Sequence, residues 1–402
     1  MRRSTSAVLT AAVLSALAAP PVLADPPAGY IVVLKKGSDS VSVARQHSGE
    51  YSAKVLHTYD HALHGYAAAM TPAVAKKITE DPRVRFVQPD RSVRLEAQTV
   101  PTGVDRVDAE PRRSSGGGSA GERIDVDVAV IDTGIQSDHP DLNVHTAGAK
   151  NCTGGTGAQD GNGHGTHVAG TIGALDDGEG VVGVAPGARV WPVRVLDDSG
   201  NGTFSSIICG IDHVTAHAGE IEVANLSLGA TGTDDGACGN TARDALHQAI
   251  CTSVAAGVTY TVAAGNSSVD SAKHVPASYD EVITVSALAD FDGLPGGKAQ
   301  STCVADQDDT FANFSNHGRD IDLIAPGACI RSTWIKGGYS TSSGTSMAAP
   351  HAAGAAARYK AAHPTASPAA VKSALQSAGT TDWNSADDPD GVQERLLNVT
   401  RL

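Results

Sequence analysis

Three short segments punctuated by glycine hold the residue types of nucleophilic catalysis. In Val128-Ala129-Val130-Ile131-Asp132-Thr133-Gly134, a carboxylate emerges from four apolar residues into a glycine turn. In Gly163-His164-Gly165-Thr166-His167-Val168, an imidazole sits at a glycine-flanked helix start. In Ser343-Gly344-Thr345-Ser346-Met347-Ala348-Ala349-Pro350-His351, a glycine turn feeds an alanine-rich helix. Ser346 falls in its first turn, where backbone N–H groups and the helix dipole favour developing negative charge.

Each segment alone has a plainer reading. Asp132 could be an Asx turn or a helix cap, and Ser346 a cap serine. His164 and His167 invite a zinc reading, but no acid lies between them and no third ligand follows at zincin spacing. His167 therefore reads as a packed, hydrogen-bonded histidine. Together the three segments supply carboxylate, imidazole and hydroxyl, the set that a nucleophile, its base and the orienter of that base require.

The elements that must position them follow from the hydrophobic pattern. Runs at Val126–Ile131, Val190–Val195, Glu222–Leu226, Val258–Ala263 and Val282–Ser286 alternate with helical stretches, so the expected fold class is α/β, a parallel sheet covered by helices. Active sites in such sheets sit at the carboxyl ends of strands, where Asp132 falls. Residues 29–95 read as a small ferredoxin-like α+β unit. Its strands are expected at Tyr30–Leu34, Lys54–His57, Gly65–Met70 and Val84–Gln88, and its helices near Val41–His47 and Pro72–Glu80. A unit this small holds a modest core and should lean on the larger domain. The stretch Asp290–Thr310 is a loop whose Asp290, Asp292, Asp306, Asp308 and Asp309 read either as ligands of another cation or as merely solvated, the second being favoured, and a helix is expected at Ala369–Ser377.

The chain has 402 residues, 6 Cys, 44 Gly and a net charge of −14. This suits a soluble globular protein of roughly two to three domains and excludes collagen, disorder and a multi-span membrane protein. No run of Lys and Arg offers a phosphate-binding face, so no nucleic-acid partner is expected. Residues 1–24 carry +2, residues 25–96 carry 10 basic and 8 acidic groups, and the remainder 18 basic and 36 acidic, giving +2 + 2 − 18 = −14. Residues 1–24 have the basic start, apolar run and Val22-Leu23-Ala24 end of a secretory signal; Pro20 and Pro21 break the run, which is too short for a membrane span. Export permits disulfides. Six cysteines allow 15 pairings; proximity favours Cys238 with Cys251 and Cys303 with Cys329, leaving Cys152 for Cys209.

With its Asp, His, Ser order, for which subtilisins are the reference case, the chain resembles secreted subtilisin-family serine peptidases over residues 97–402. Residues 29–95 resemble the inhibitory propeptide that such enzymes carry. The resemblance implies Ser346 as nucleophile, His164 as general base and then acid, Asp132 as the group holding the imidazole, and Asn266, in Thr261-Val262-Ala263-Ala264-Gly265-Asn266, as an oxyanion donor. It implies two substrate edges, Ser199-Gly200-Asn201-Gly202 and Ser227-Leu228-Gly229, between which the substrate main chain inserts. Ala263, Ala264 and Gly265 would wall a roomy S1 slot, Phe204 and Leu228 an apolar S4, and His274 would lie near the S1 base, while Asn225 reads as a structural hydrogen-bonder.

Structural calcium is implied at two places. The first combines side chains of Gln98, Asp141 and Asp177 with carbonyls of Leu175, Glu179 and Val181; the second combines Asp322 with carbonyls of Ala277, Tyr279 and Val282. The resemblance places the mature start at Ala97, giving a signal over 1–24, a propeptide over 25–96 and a peptidase domain over 97–402. Glu96 before the cut is odd for an apolar pocket. The expected partners are protein or peptide substrates and the chain's own propeptide, with no membrane and a monomeric state. A binding protein on an inactive peptidase fold would need a lost catalytic residue, and none is lost. A dedicated maturation peptidase with an acidic pocket stays open because of Asp197 and Asp198.

Overall fold

The structure is a computed structural model that describes residues 27–94, 103–109 and 123–402. The expected signal over 1–24, the cleavage point before Ala97 and the expected ligand Gln98 lie outside the described residues.

The N-terminal unit runs β1 (Ala28–Leu34), α1 (Ser40–Tyr51), β2 (Lys54–Tyr59), β3 (Gly65–Met70), α2 (Pro72–Thr79) and β4 (Val84–Pro89). Each expected element is present. Its helices begin where the sequence supplies caps: Asp39 accepts from Ser42 N, and Thr71 from Val74 N ahead of Pro72. The strands form one antiparallel sheet in the order β2-β3-β1-β4. One sheet face packs Val32, Leu34, Tyr66 and Met70 against Val43 and Ile78 of the helices. Residues of the other parity, Ile31, Val33, Tyr59 and Phe86, belong to a core shared with the large domain.

The chain continues through β5 (Ser92–Arg94), β6 (Asp127–Asp132), β7 (Lys150–Asn151), α3 (His164–Gly173), β8 (Arg189–Arg194), β9 (Asn201–Thr203), α4 (Phe204–Ala216), β10 (Ile221–Leu226), β11 (Ala230–Thr231), α5 (Ala245–Ala255) and β12 (Thr259–Ala263). It ends with β13 (His274–Val275), β14 (Ile283–Ala289), β15 (Thr310–Phe311), β16 (Leu323–Pro326), β17 (Ile330–Trp334), β18 (Gly338–Ser342), α6 (Thr345–Ala362) and α7 (Pro368–Ala378). The main sheet has the order β15-β14-β12-β10-β6-β8-β7, with β16 also beside β14. All its pairings are parallel except β14 with β15.

The alternation of β6 divides the core. Val128 and Val130 point to a cluster with α3 and the alanines of α6, whereas Ala129 and Ile131 point to Phe204, Ile207, Ile208 and Leu246 of α4 and α5. The small side chains of α6 let it run through the interior; a Cβ on Gly354 would fall 2.6 Å from Val184 Cβ.

The disulfides are Cys152–Cys209, Cys238–Cys251 and Cys303–Cys329, as proximity suggested. The loop after β14 corrects the reading of its acids as solvated: Asp290, Asp306, Asp308 and Asp309 are buried. They hold the loop by accepting backbone N–H groups, as Asp308 does from Phe291 at 2.8 Å and Ala299 at 2.9 Å, while Asp309 also pairs with Arg106 at 2.8 Å. Among the described residues, no helix is long and apolar enough to cross a membrane.

Candidate active site

Asp132 ends the central strand β6, His164 opens α3, and Ser346 is the second residue of α6; all three are buried. His164 Nδ1 lies 2.8 Å from Asp132 Oδ1 and 3.0 Å from Oδ2. Thr133 N donates to Asp132 Oδ1 at 2.7 Å, so the carboxylate is fixed by its own turn. The opposite ring nitrogen, His164 Nε2, is buried and receives or donates no hydrogen bond. Ser346 Oγ donates to the Ser227 carbonyl at 3.2 Å.

The close approach of α3 to β6 explains the glycines around His164. A Cβ on Gly165 would fall 2.1 Å from the Gly134 carbonyl, and one on Gly163, which has φ +113°, would fall 2.4 Å from the Trp334 ring. The helix start is capped by Asp160, a residue absent from the expected site. Its Oδ1 accepts from Gly163 N at 2.8 Å, and its Oδ2 from Thr166 N at 2.9 Å and Thr166 Oγ1 at 2.7 Å. The signal was an Asp three residues before the glycine that precedes His164.

His167 is packed and hydrogen-bonded, with Nε2 3.0 Å from the Ile330 carbonyl. Burial pushes its imidazole down to about 3, assisted by the nearby His164. The two rings face different partners, His164 the Asp132 carboxylate and His167 the Ile330 carbonyl.

Asn266 Oδ1 accepts from Thr345 N at 2.8 Å and Thr345 Oγ1 at 3.0 Å. These bonds fix the amide plane and turn Nδ2 away from Thr345. Thr345 Oγ1 also accepts from Gly265 N at 3.0 Å, tying the start of α6 to the Ala264-Gly265-Asn266 turn. Asn316, which the sequence reading missed, supports the same turn: its Nδ2 donates to the Ala264 carbonyl at 2.9 Å, and its Oδ1 accepts from Ser267 N at 3.0 Å. Asn225 is a structural bonder as expected. It accepts from Thr261 Oγ1 at 3.0 Å and donates to Ser227 Oγ at 2.9 Å, which donates in turn to the Ser346 carbonyl at 2.7 Å.

At the cleft edge, β5 pairs antiparallel with β9: Ser92 with Thr203, Val93 with Gly202 and Arg94 with Asn201. The strand edge is thus Asn201–Thr203, and Ser199 and Gly200 form the turn before it. Asp197 Oδ1 shapes that turn by accepting from Ser199 N at 2.8 Å and Asn201 N at 2.9 Å, and Asp198 pairs with Arg194 at 2.8 Å. Phe204 and Leu228 are buried, with the Arg91 guanidinium 5.7 Å from the Phe204 ring centre. His274 abuts the second edge, since a Cβ on Gly229 would fall 2.2 Å from its Nε2.

The two expected calcium sites differ. Asp141 is buried; its Oδ2 accepts from Val181 N at 2.9 Å, and its Oδ1 has no hydrogen-bond partner. Burial, with Asp177 nearby, pushes this carboxyl upward. An orphaned buried oxygen beside the Leu175–Val181 loop fits a cation held there. Asp322, at the second place, is engaged by side chains of the protein. Lys372 Nζ lies 2.8 Å from Asp322 Oδ2 and donates to the carbonyls of Val282 at 2.8 Å and Asp280 at 3.1 Å. Gln376 Nε2 and Thr284 N take up the remaining Asp322 valences at 3.0 and 2.9 Å. The Lys372 ammonium thus meets Asp322 and one of the carbonyls, that of Val282, named for this second place.

Comparison with known proteins gives the same picture. Residues 124–394 match the Subtilase family, and residues 29–96 match the family described as Peptidase inhibitor I9. The chain is 37% identical over 331 residues to subtilisin E of Bacillus subtilis, covering 81% of this chain and 78% of that protein. It is 36% identical over 319 residues to an alkaline protease of Alkalihalobacillus alcalophilus, covering 79% and 74%. Among solved structures it resembles a cold adapted subtilisin-like serine proteinase, with TM-score 0.57 and 34% identity over 74% of this chain and 97% of that one. Fervidolysin from Fervidobacterium pennivorans, at TM-score 0.69 and 23% identity over 93% and 60%, shares the fold.

Proposed function

The chain belongs to the subtilase family and is a serine endopeptidase with an inhibitory propeptide, and from that premise we propose that Asp132, His164 and Ser346 carry its chemistry. The observation that supports this most is the His164–Asp132 contact of 2.8 Å, together with a buried Nε2 left without a partner at the carboxyl edge of the sheet.

In this reading His164 Nε2 takes the Ser346 Oγ proton as the oxygen attacks the scissile carbonyl carbon. Asp132 accepts from Nδ1, which keeps the proton-accepting tautomer at Nε2 and stabilises the cation that forms. The carbonyl electrons move to oxygen, which is met by Asn266 Nδ2 and by the backbone N–H of Ser346 at the α6 start. The protonated His164 then gives its proton to the leaving amine, and the acyl-enzyme forms. Water, deprotonated by the same Nε2, breaks the ester and returns Ser346.

The substrate main chain would add to Asn201–Thr203 as β5 does, leaving side-chain choice to pockets at Ala264, Gly265, Phe204 and Leu228. The engagement of Asp197 by its own turn and of Asp198 by Arg194 favours a general endopeptidase over one reading basic residues. Residues 25–96 act as propeptide, cut before Ala97 by the enzyme itself, and residues 1–24 as the export signal. A calcium ion held by Asp141, Asp177, Gln98 and the carbonyls of Leu175, Glu179 and Val181 would fix the loop beside α3; it supplies stability and takes no part in the reaction.

Hydrolysis of a quenched-fluorescent peptide library tests the reading. Turnover that is abolished by an organophosphonate and by His164→Ala is expected. Turnover that persists in both would contradict it.

A further inference from the structure

Beyond α7, the chain carries an acidic grouping that the reaction does not use: Asp388-Pro389-Asp390-Gly391-Val392-Gln393-Glu394. One carboxylate oxygen from each of Asp388, Asp390 and Glu394 lies within 4.8 Å of the others. Asp388 is 7% and Glu394 6% exposed. Both oxygens of Glu394, and Oδ2 of Asp388, accept from no N–H or hydroxyl donor, and the two carboxyls lie against each other. Asp388 Oδ1 accepts one long bond, from Asp390 N at 3.4 Å. Among the described residues, no Lys or Arg forms an ion pair with Asp388 or Glu394.

Buried carboxylates without donors are costly, and three at this spacing repel one another. The loop cannot relieve the repulsion by swinging out, because its backbone is held on both sides. Trp383 Nε1 donates to the Glu394 carbonyl at 3.0 Å, and Gln393 Nε2 to the carbonyls of Thr381 at 3.1 Å and Trp383 at 3.0 Å. Trp383 and Leu396 pack into a cluster with Leu288, Phe311 and Ile324. Gly391, at φ +72°, turns the chain between the acids, and Asp390 Oδ1 secures the turn by accepting from Val392 N at 2.8 Å.

We propose that Asp388, Asp390 and Glu394 form a calcium-binding site, separate from the Asp141 loop. The donor set is all oxygen, which selects a hard cation over zinc or copper. Glu394 offers two oxygens and each Asp at least one; backbone carbonyls and water complete the coordination of roughly six to eight oxygens that calcium takes. Magnesium demands a regular octahedron and sheds its water reluctantly, which suits a bidentate carboxylate poorly.

The test is the calcium content of the full chain after chelation and reloading, measured by mass spectrometry of the metal in wild type, Glu394→Gln and Asp390→Asn. Asp390 is exposed, so its variant keeps the test open should Glu394→Gln fail to fold. Each variant is expected to hold one calcium fewer than wild type, or to bind that ion roughly tenfold or more weakly by titration, since affinity follows ligand charge. Terbium luminescence excited through Trp383 should fall with it, while peptidase activity with saturating calcium stays at the wild-type level. Equal calcium content in all three proteins would overturn the proposal and assign the pair Asp388 and Glu394 to a shared proton.

Discussion

The N-terminal sheet and the domain behind it are finished in different ways. The four-stranded sheet covers one face with its own two helices and leaves Ile31, Val33, Tyr59 and Phe86 to be buried with Ile207, Ile208 and Ile211 of α4. The large sheet has a cluster on each face, one wholly its own and one that takes in these four residues. The polar contacts follow the same pattern. Asp90 accepts from Ser205 N at 2.8 Å at the start of α4, and Gln88 accepts from Ala245 N at 2.7 Å at the start of α5, so the small unit takes up first-turn N–H groups that the helices' own caps, Thr203 and Asp244, leave over. Asp212 of α4 returns the contact by accepting from His61 N and Ala62 N at 2.6 and 2.7 Å. The charges complement each other, at +2 for residues 25–96 and −18 beyond. The large half keeps one core wholly to itself, whereas the small one relies on its partner to cover a whole sheet face, as fits an inhibitory propeptide.

The strongest way to break this contrast is to stop the large half from acting on the small one. Ser346→Ala should lower kcat by roughly 10⁶-fold and leave the two halves covalently joined, as seen by single-turnover assay and gel. Asn266→Ala should cost about 2.7–4 kcal/mol of transition-state stabilisation, the loss measured on the matching asparagine of a subtilisin, and slow processing and peptide hydrolysis alike. A variant that processes normally but hydrolyses peptides slowly would separate the two reactions.

Much of this was legible in the residues, because the motifs for Asp132, His164, Ser346 and Asn266 each place a proposed reacting group on its own turn or helix start. What escaped was supplied from a distance. Asn316 reaches the Ala264-Gly265-Asn266 turn from about fifty residues on, and Lys372 reaches Asp322 from α7. No local spacing announces either. The acids of the loop after β14 were misread because solvation and backbone capping look alike in composition. That Glu394 folds back beside Asp388 depends on the anchoring of Trp383.

Acid should act on the large half. His167 and His351 are fully buried in it, and burial pushes them down to about 3 and about 4. Both are neutral in the folded state, while an unfolded histidine titrates near 6.5. Stability is therefore intact above pH ~6.5 and falls as the pH drops from there towards 4, by about 3 kcal/mol for His351 alone. Thermal unfolding of the mature enzyme across this range, with no autolysis in the presence of an active-site inhibitor, measures it. The smallest effect is expected at the contact between the halves. Asp90→Ala removes the acceptor of Ser205 N at the start of α4 and should weaken the complex by about 1–2 kcal/mol, roughly 5- to 30-fold in the inhibition constant. An unchanged constant would place the complementarity in the apolar face alone.

The most direct test of the account is intact mass and N-terminal sequencing of secreted wild type beside Ser346→Ala, each treated with a fluorophosphonate probe. Wild type starting at or near Ala97 and labelled, with the variant retained as unlabelled precursor, is the predicted result. An unlabelled wild type that keeps residues 25–96 would contradict self-processing by Ser346.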